Sequence, residues 1–188
     1  MKTKDYILCA FFAAFIAVLA QIQLPLPITP IPISLAVLAV LIAGGVLGVK
    51  RALITIIVYI LIGFIGVPVF AGFQGGMAVL AGPTVGYIIG YIPLIAIVAA
   101  FTKYSRDKAT EYSWPVYKEC LVLVVGAIVG ILILYALGTA WFMIVTGRGV
   151  VESLAMCVIP FIPGEIFKIV AFIIIMQALK KSIVKLFA

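Results

Sequence analysis

"KECLVLVVGAIVGILILYALGTA", residues 118–140, opens on a lysine and a glutamate and then runs to its end without another charge. A helix that crosses a bilayer needs roughly 20 mostly apolar residues, and this stretch has that length. Comparable apolar runs lie near 5–24, 34–48, 51–67, 84–102 and 161–180, each bounded by charge, proline or glycine. The second is the shortest. Across 188 residues the chain is 66% hydrophobic and 10% charged, against roughly 45–50% and about 25% for a soluble domain. The expected fold is all-α: a polytopic membrane protein, one domain of six transmembrane helices over 1–188. Because apolar runs recur along the whole length, the first is not read as a cleaved signal, and Met1 to Asp5 reads as the true start.

The basic residues give orientation, since cytoplasmic loops carry the excess of Lys and Arg. If six helices alternate, Lys2, Lys4, Lys50, Arg51, Lys103, Arg106, Lys108, Lys118, Lys180, Lys181 and Lys185 all fall on one side, eleven of the thirteen basic residues. Both termini are therefore expected in the cytoplasm. The net charge of +7 is explained by topology and not by nucleic acid, because no basic stripe with interleaved aromatics occurs. Only Arg148 lies in an outer loop, and only Lys168 lies inside a span.

The outer connections, "PLPITPIPIS" at 25–34, "VPVFAGFQGGMAVLAGP" at 67–83 and "WFMIVTGRGVVESLAMCVIP" at 141–160, are long, apolar and rich in Gly or Pro. Pro25, Pro27, Pro30 and Pro32 exclude a regular helix in the first. Exposed apolar loops of this length are a liability, so they are expected to fold inward as a lid over a cavity. The inner segment around 103–117 reads as the longest polar loop.

Several chemistries are excluded. With no histidine in the chain, His-based metal sites and His general bases are absent. No phosphate-binding glycine loop is present, so the chain does not itself hydrolyse ATP. Cys9, Cys120 and Cys157 lack a C-x-x-C pattern and read as small packing residues.

Among the acids, Asp5, Asp107, Glu111, Glu119 and Glu152 fall at termini or in loops, leaving Glu165 alone at membrane depth. An ionised group there costs roughly 2.5–3.5 kcal/mol on insertion scales and normally faces the bundle interior, paired, at a site or pathway. Lys168, three residues on, shares its helix face. Pro163-Gly164 just before them marks a helix start, whose free N–H groups point the same way. Such a polar patch inside an apolar cavity suits a small ligand with its own donors and acceptors, or else an ion pair that fixes the register of the last helix. A second constellation, Gln74, Thr84, Tyr87 and Tyr91, surrounds the glycine-rich loop before the fourth span, with Tyr87 and Tyr91 at i, i+4. On the first span Ala10, Ala13, Ala14 and Ala17 repeat at the spacing that lets helices approach closely in lipid.

These residues resemble a known family. "PLPITPIPIS", "LIAGGVLG", "GVPVFAGFQGGMAVLAGPTVGYIIGY", "ALGTAWF" and "PFIPGEIFK" are similar to segments of BioY, the biotin-binding S-components of energy-coupling factor (ECF) vitamin transporters, over nearly the whole chain. The resemblance implies a six-helix subunit of a prokaryotic cytoplasmic membrane. It would hold biotin near the outer face beneath a lid formed by the first loop, with no catalytic activity and no cofactor of its own. ATP would be used by two ATPase subunits, joined through a coupling membrane protein. The resemblance carries ligand contact over to Glu165 and Lys168, and docking on the coupling protein to the A-x-x-x-A pairs of Ala10, Ala13, Ala14 and Ala17. The chain departs from the family pattern in having Glu at 165 where Asp is commoner, Val at 85 where Gly is, and Ala36 in a region where Gln is expected. The alternatives are the same fold serving another vitamin or a biotin precursor, a structural membrane subunit, and a small intramembrane enzyme. Against the enzyme stand the missing histidine, acidic pair and nucleophile dyad.

Overall fold

The computed structural model of the chain describes residues 2–24, 27 and 31–187, without side-chain detail at 181 and 184–187. Among the described residues, seven α-helices follow in order: α1 (Thr3–Ala20), α2 (Ala36–Leu47), α3 (Val49–Phe64), α4 (Val85–Tyr112), α5 (Val116–Thr146), α6 (Val150–Cys157) and α7 (Ile162–Phe187). Between α1 and α2 a two-residue hairpin pairs β1 (Gln23–Leu24) antiparallel with β2 (Ile33–Ser34). The fold is that of an all-α membrane protein. Segments 3–20, 85–112, 116–146 and 150–180 are each long and apolar enough to cross a bilayer.

The other two helices have different duties. All twelve residues of α2 are buried, as expected of a helix that is apolar all round. At about 1.5 Å per residue it is only about 18 Å long, a core strut sheltered by its neighbours. On α3 the buried face is Ala52, Thr55, Ile56, Tyr59, Ile60 and Gly63, the i, i+3, i+4, i+7 stripe of a helix with one side packed. Gly48 alone separates α2 from α3, at φ 72°, ψ 162°, a region that essentially only glycine occupies. A Cβ there would meet nothing within 4 Å, so Gly48→Ala tests backbone strain alone. We expect it to cost about 1–3 kcal/mol, read as a lower unfolding midpoint in detergent.

α4 and α5 form an antiparallel hairpin in which small residues set the spacing. Gly90 faces Leu134 and Gly130 faces Leu94, each so close that an added Cβ would sit 2.7 Å from the leucine Cδ1. Without a hydrophobic driving force between helices in lipid, close van der Waals packing of this kind holds them together.

Charged pairs tie one end of the bundle. Arg51 Nε meets Asp5 Oδ1 at 2.8 Å, Lys180 Nζ meets both Glu119 oxygens at 2.6 and 2.7 Å, and Arg106 donates to the Gly45 carbonyl. The starts of α1, α3 and α5 and the ends of α2, α4 and α7 therefore lie together, so these six helices alternate in direction.

Several sequence expectations need correction. The segment 103–112 is the last part of α4, leaving only 113–115 as a connection, because no helix breaker occurs before Trp114-Pro115. Asp5 and Glu119 are buried and paired. The outer segment 141–160 is largely helical, as the end of α5, then α6 and a 3-10 turn at Ile159–Phe161. Of the proline-rich lid loop, Pro25 and Pro30 lie outside the described residues.

Candidate functional site

At the end of the bundle opposite the charged pairs, a cavity of about 250 Å³ lies between the β-hairpin, α3, the start of α4 and the loop that follows α3. Gln23, Ile31, Pro32 and Ser34 come from the hairpin and its approach, Tyr59 from α3, Phe70, Gly72 and Gln74 from the loop, and Thr84, Tyr87 and Tyr91 from the cap and first turns of α4. A narrower recess of about 50 Å³ shares Ile31, Pro32, Ser34, Tyr87 and Tyr91 with it, and adds Val37, Leu134, Tyr135, Phe161, Glu165 and Lys168. The two form lobes of one site, with Tyr87 and Tyr91 in the wall common to both.

The loop that lines the larger lobe is held by side chains. Phe70 inserts edge-on to Tyr59 and Phe64, with ring centroids 5.6 and 5.5 Å away. Its ring occupies the notch left by Gly63, where a Cβ would lie 2.6 Å from Phe70 Cε1. Gln21, at the end of α1, donates to the carbonyls of Val69 and Phe70, both at 3.2 Å, and accepts from Phe73 N–H at 2.9 Å. Tyr59 O–H donates to the Val69 carbonyl at 3.2 Å.

In the recess, α7 begins at Ile162, so Glu165 and Lys168 sit on its first turns. Both are buried, at 6% and 2% exposure. Lys168 Nζ donates to Glu165 Oε1 at 2.7 Å and Tyr135 O–H donates to the same oxygen at 3.1 Å. Among the described residues, Glu165 Oε2 is buried with no hydrogen-bond partner, as is Gln23 Oε1 in the larger lobe. An ammonium has three N–H donors, and among the described residues Lys168 spends one, on Glu165. Leaving a buried polar group unpaired costs about 1–3 kcal/mol, so vacant valences beside a cavity point to a ligand that fills them.

All six residues singled out around the two sequence motifs, Gln74, Thr84, Tyr87, Tyr91, Glu165 and Lys168, line one lobe or the other. The alanine stripe divides. Ala13 is buried at 5% exposure, Ala17 is half-buried, and Ala10 and Ala14 face outward, so a partner can reach the last two and not Ala13. Sequence reasoning missed Tyr135, Tyr59, Ser34 and Gln23. A tyrosine inside the apolar run 118–140 was the available signal for Tyr135. Cys9, Cys120 and Cys157 are free thiols, two of them buried, in keeping with packing roles.

The apolar helix bundle defines an integral membrane protein, with a cavity whose narrower recess is lined by a buried ion pair. The BioY family model matches residues 1–185, and the chain belongs to the BioY family. It is 35% identical over 180 residues to a probable biotin transporter BioY of Pyrococcus horikoshii, covering 96% of this chain and 98% of that protein. It is 33% identical over 172 residues to the biotin transporter BioY of Rhizobium etli, covering 90% and 89%. Among solved structures, the S-component for biotin from an ECF-type ABC transporter superposes with a TM-score of 0.82 at 27% identity, covering 96% of this chain and 95% of that one.

Proposed function

We propose that this chain captures biotin at the outer face of a prokaryotic cytoplasmic membrane, as the S-component of an ECF transporter. It is a binding and transport subunit, not an enzyme. A coupling membrane protein and two ATPase subunits drive release inward. The observation that carries the reading is the pair of vacancies in the recess: an unpartnered acceptor, Glu165 Oε2, next to an ammonium with donors to spare. A cyclic urea presents the complement, an N–H donor beside a carbonyl acceptor. Biotin's ureido ring would give an N–H to Oε2 and take a hydrogen bond from Lys168 on its carbonyl. The larger lobe, walled by Ile31, Pro32, Phe70 and the tyrosines, suits the apolar valeryl chain. The pair is then neutralised and hydrogen-bonded as a buried ion pair must be.

A competition series tests the substrate. Labelled biotin bound to the purified chain should be displaced by unlabelled biotin and by dethiobiotin, which keeps the ureido ring. Riboflavin, whose tricyclic ring is large for these lobes, and thiamine, whose cation meets Lys168, should leave it in place. Preferential displacement by either of the last two would move the assignment to another vitamin.

Ala10 and Ala14 form the part of the alanine stripe open to the coupling protein. Ala14→Trp is expected to leave biotin affinity unchanged within about twofold, since no α1 residue lines either lobe, and to reduce co-purification with the coupling protein. Ala13→Trp, placed in the core, should instead destabilise the chain by about 1–3 kcal/mol.

A further inference from the structure

Both hydrogen bonds to Glu165 fall on one oxygen. Lys168 takes Oε1 from its own helix and Tyr135 takes it from α5, while among the described residues Oε2 is buried without a partner. From this asymmetry, and resting on the biotin reading above, we infer that Tyr135 is the positioning residue that reserves Glu165 Oε2 for the ligand and so sets which ligand edge the site accepts.

The final torsion of a glutamate is broad, so an ammonium on one oxygen leaves the carboxylate plane able to pivot, and with it the direction in which the other oxygen faces. Carboxylates accept hydrogen bonds at both oxygens. A second donor arriving at Oε1 from another helix fixes the plane and so aims the remaining oxygen. Tyr135 is itself fixed: its ring lies edge-on to Tyr87 and to Phe161, with centroids 6.1 and 6.3 Å away, and both neighbours line the same recess. Its one proton is spent on Glu165, so the residue acts through the carboxylate. The recess then offers one acceptor and one set of ammonium donors in set places. A ligand edge with N–H beside C=O matches them, and an edge whose N–H is blocked at Oε2 does not.

The test is calorimetric titration of the detergent-purified chain and its Tyr135→Phe variant with biotin and with the two derivatives methylated at one or the other ureido nitrogen. The intact chain should bind biotin and discriminate most strongly against the derivative whose blocked nitrogen faces Oε2. Tyr135→Phe should weaken biotin about tenfold or more, the loss of one hydrogen bond to a charged group, and shrink that discrimination several-fold, because the freed carboxylate can turn. Uniform weakening of biotin and both derivatives would mean lost packing and would overturn the inference. Unchanged biotin affinity would overturn it too, as would failure of the variant to fold, which would make Tyr135 a structural residue. Failure of the intact, folded chain to bind biotin would instead bring down the biotin reading and the inference with it.

Discussion

Lys168→Met should destabilise the chain by about 3–5 kcal/mol, the usual cost of breaking a buried ion pair by removing one partner. The carboxylate left behind is 6% exposed and keeps a single hydrogen bond, from Tyr135 at 3.1 Å. Glu165→Gln combined with Lys168→Met should recover most of that loss, since replacing a buried pair by neutral residues of similar volume is often near neutral. Thermal unfolding in detergent checks both. The two variants should nevertheless fail alike in biotin binding, because each removes the donors that face the ligand carbonyl. A purely structural pair predicts the opposite for the double variant, stability and function both intact.

The second large effect lies on α5. A Cβ on Gly138 would fall inside van der Waals contact with the Tyr87 ring, and Tyr87 lines both lobes while its hydroxyl meets Thr139 Oγ1 at 3.3 Å. Gly138→Val therefore has to push Tyr87 into the cavity or part α4 from α5. Overpacking of this kind costs about 1–3 kcal/mol, and biotin affinity should fall at least about tenfold, or about 1.4 kcal/mol. Gly149→Ala is the control. That glycine is the N-cap of α6 at φ −70° with nothing within 4 Å of its would-be Cβ, so Ala should cost at most about 1 kcal/mol of capping and leave binding unchanged. A tolerated Gly138→Val would mean that the α4–α5 contact does not shape the site.

Six apolar helices, the basic end and the Glu165–Lys168 pair were legible in the sequence because each is a local pattern: apolar run length, charge between runs, and i, i+3 spacing. The end of α4 was not, because Lys103 to Tyr112 carries the polar side chains of a loop, and polarity alone does not separate a helix projecting past the bilayer from a coil. The missing breaker before Trp114-Pro115 was the better guide. Between Gly147 and Gly149 on one side and Pro160 on the other, α6 has only eight residues, too few for a periodic signal. Ala10, Ala13 and Ala14 share a stripe by spacing, yet which of them faces a neighbour depends on where α2 and α3 pack. Tyr135 is the clearest case: its bond to Glu165 joins residues 30 apart in sequence, and such tertiary pairings leave no local trace.

The most direct test of the central claim is isothermal titration of the detergent-purified chain with biotin, beside the Glu165→Gln, Lys168→Met variant. One-to-one binding by the intact chain, weakened at least about 100-fold in a folded variant, is the expected result, in line with the 2–5 kcal/mol that buried charged contacts carry. No binding by the intact folded chain, or equal binding by the variant, would contradict it.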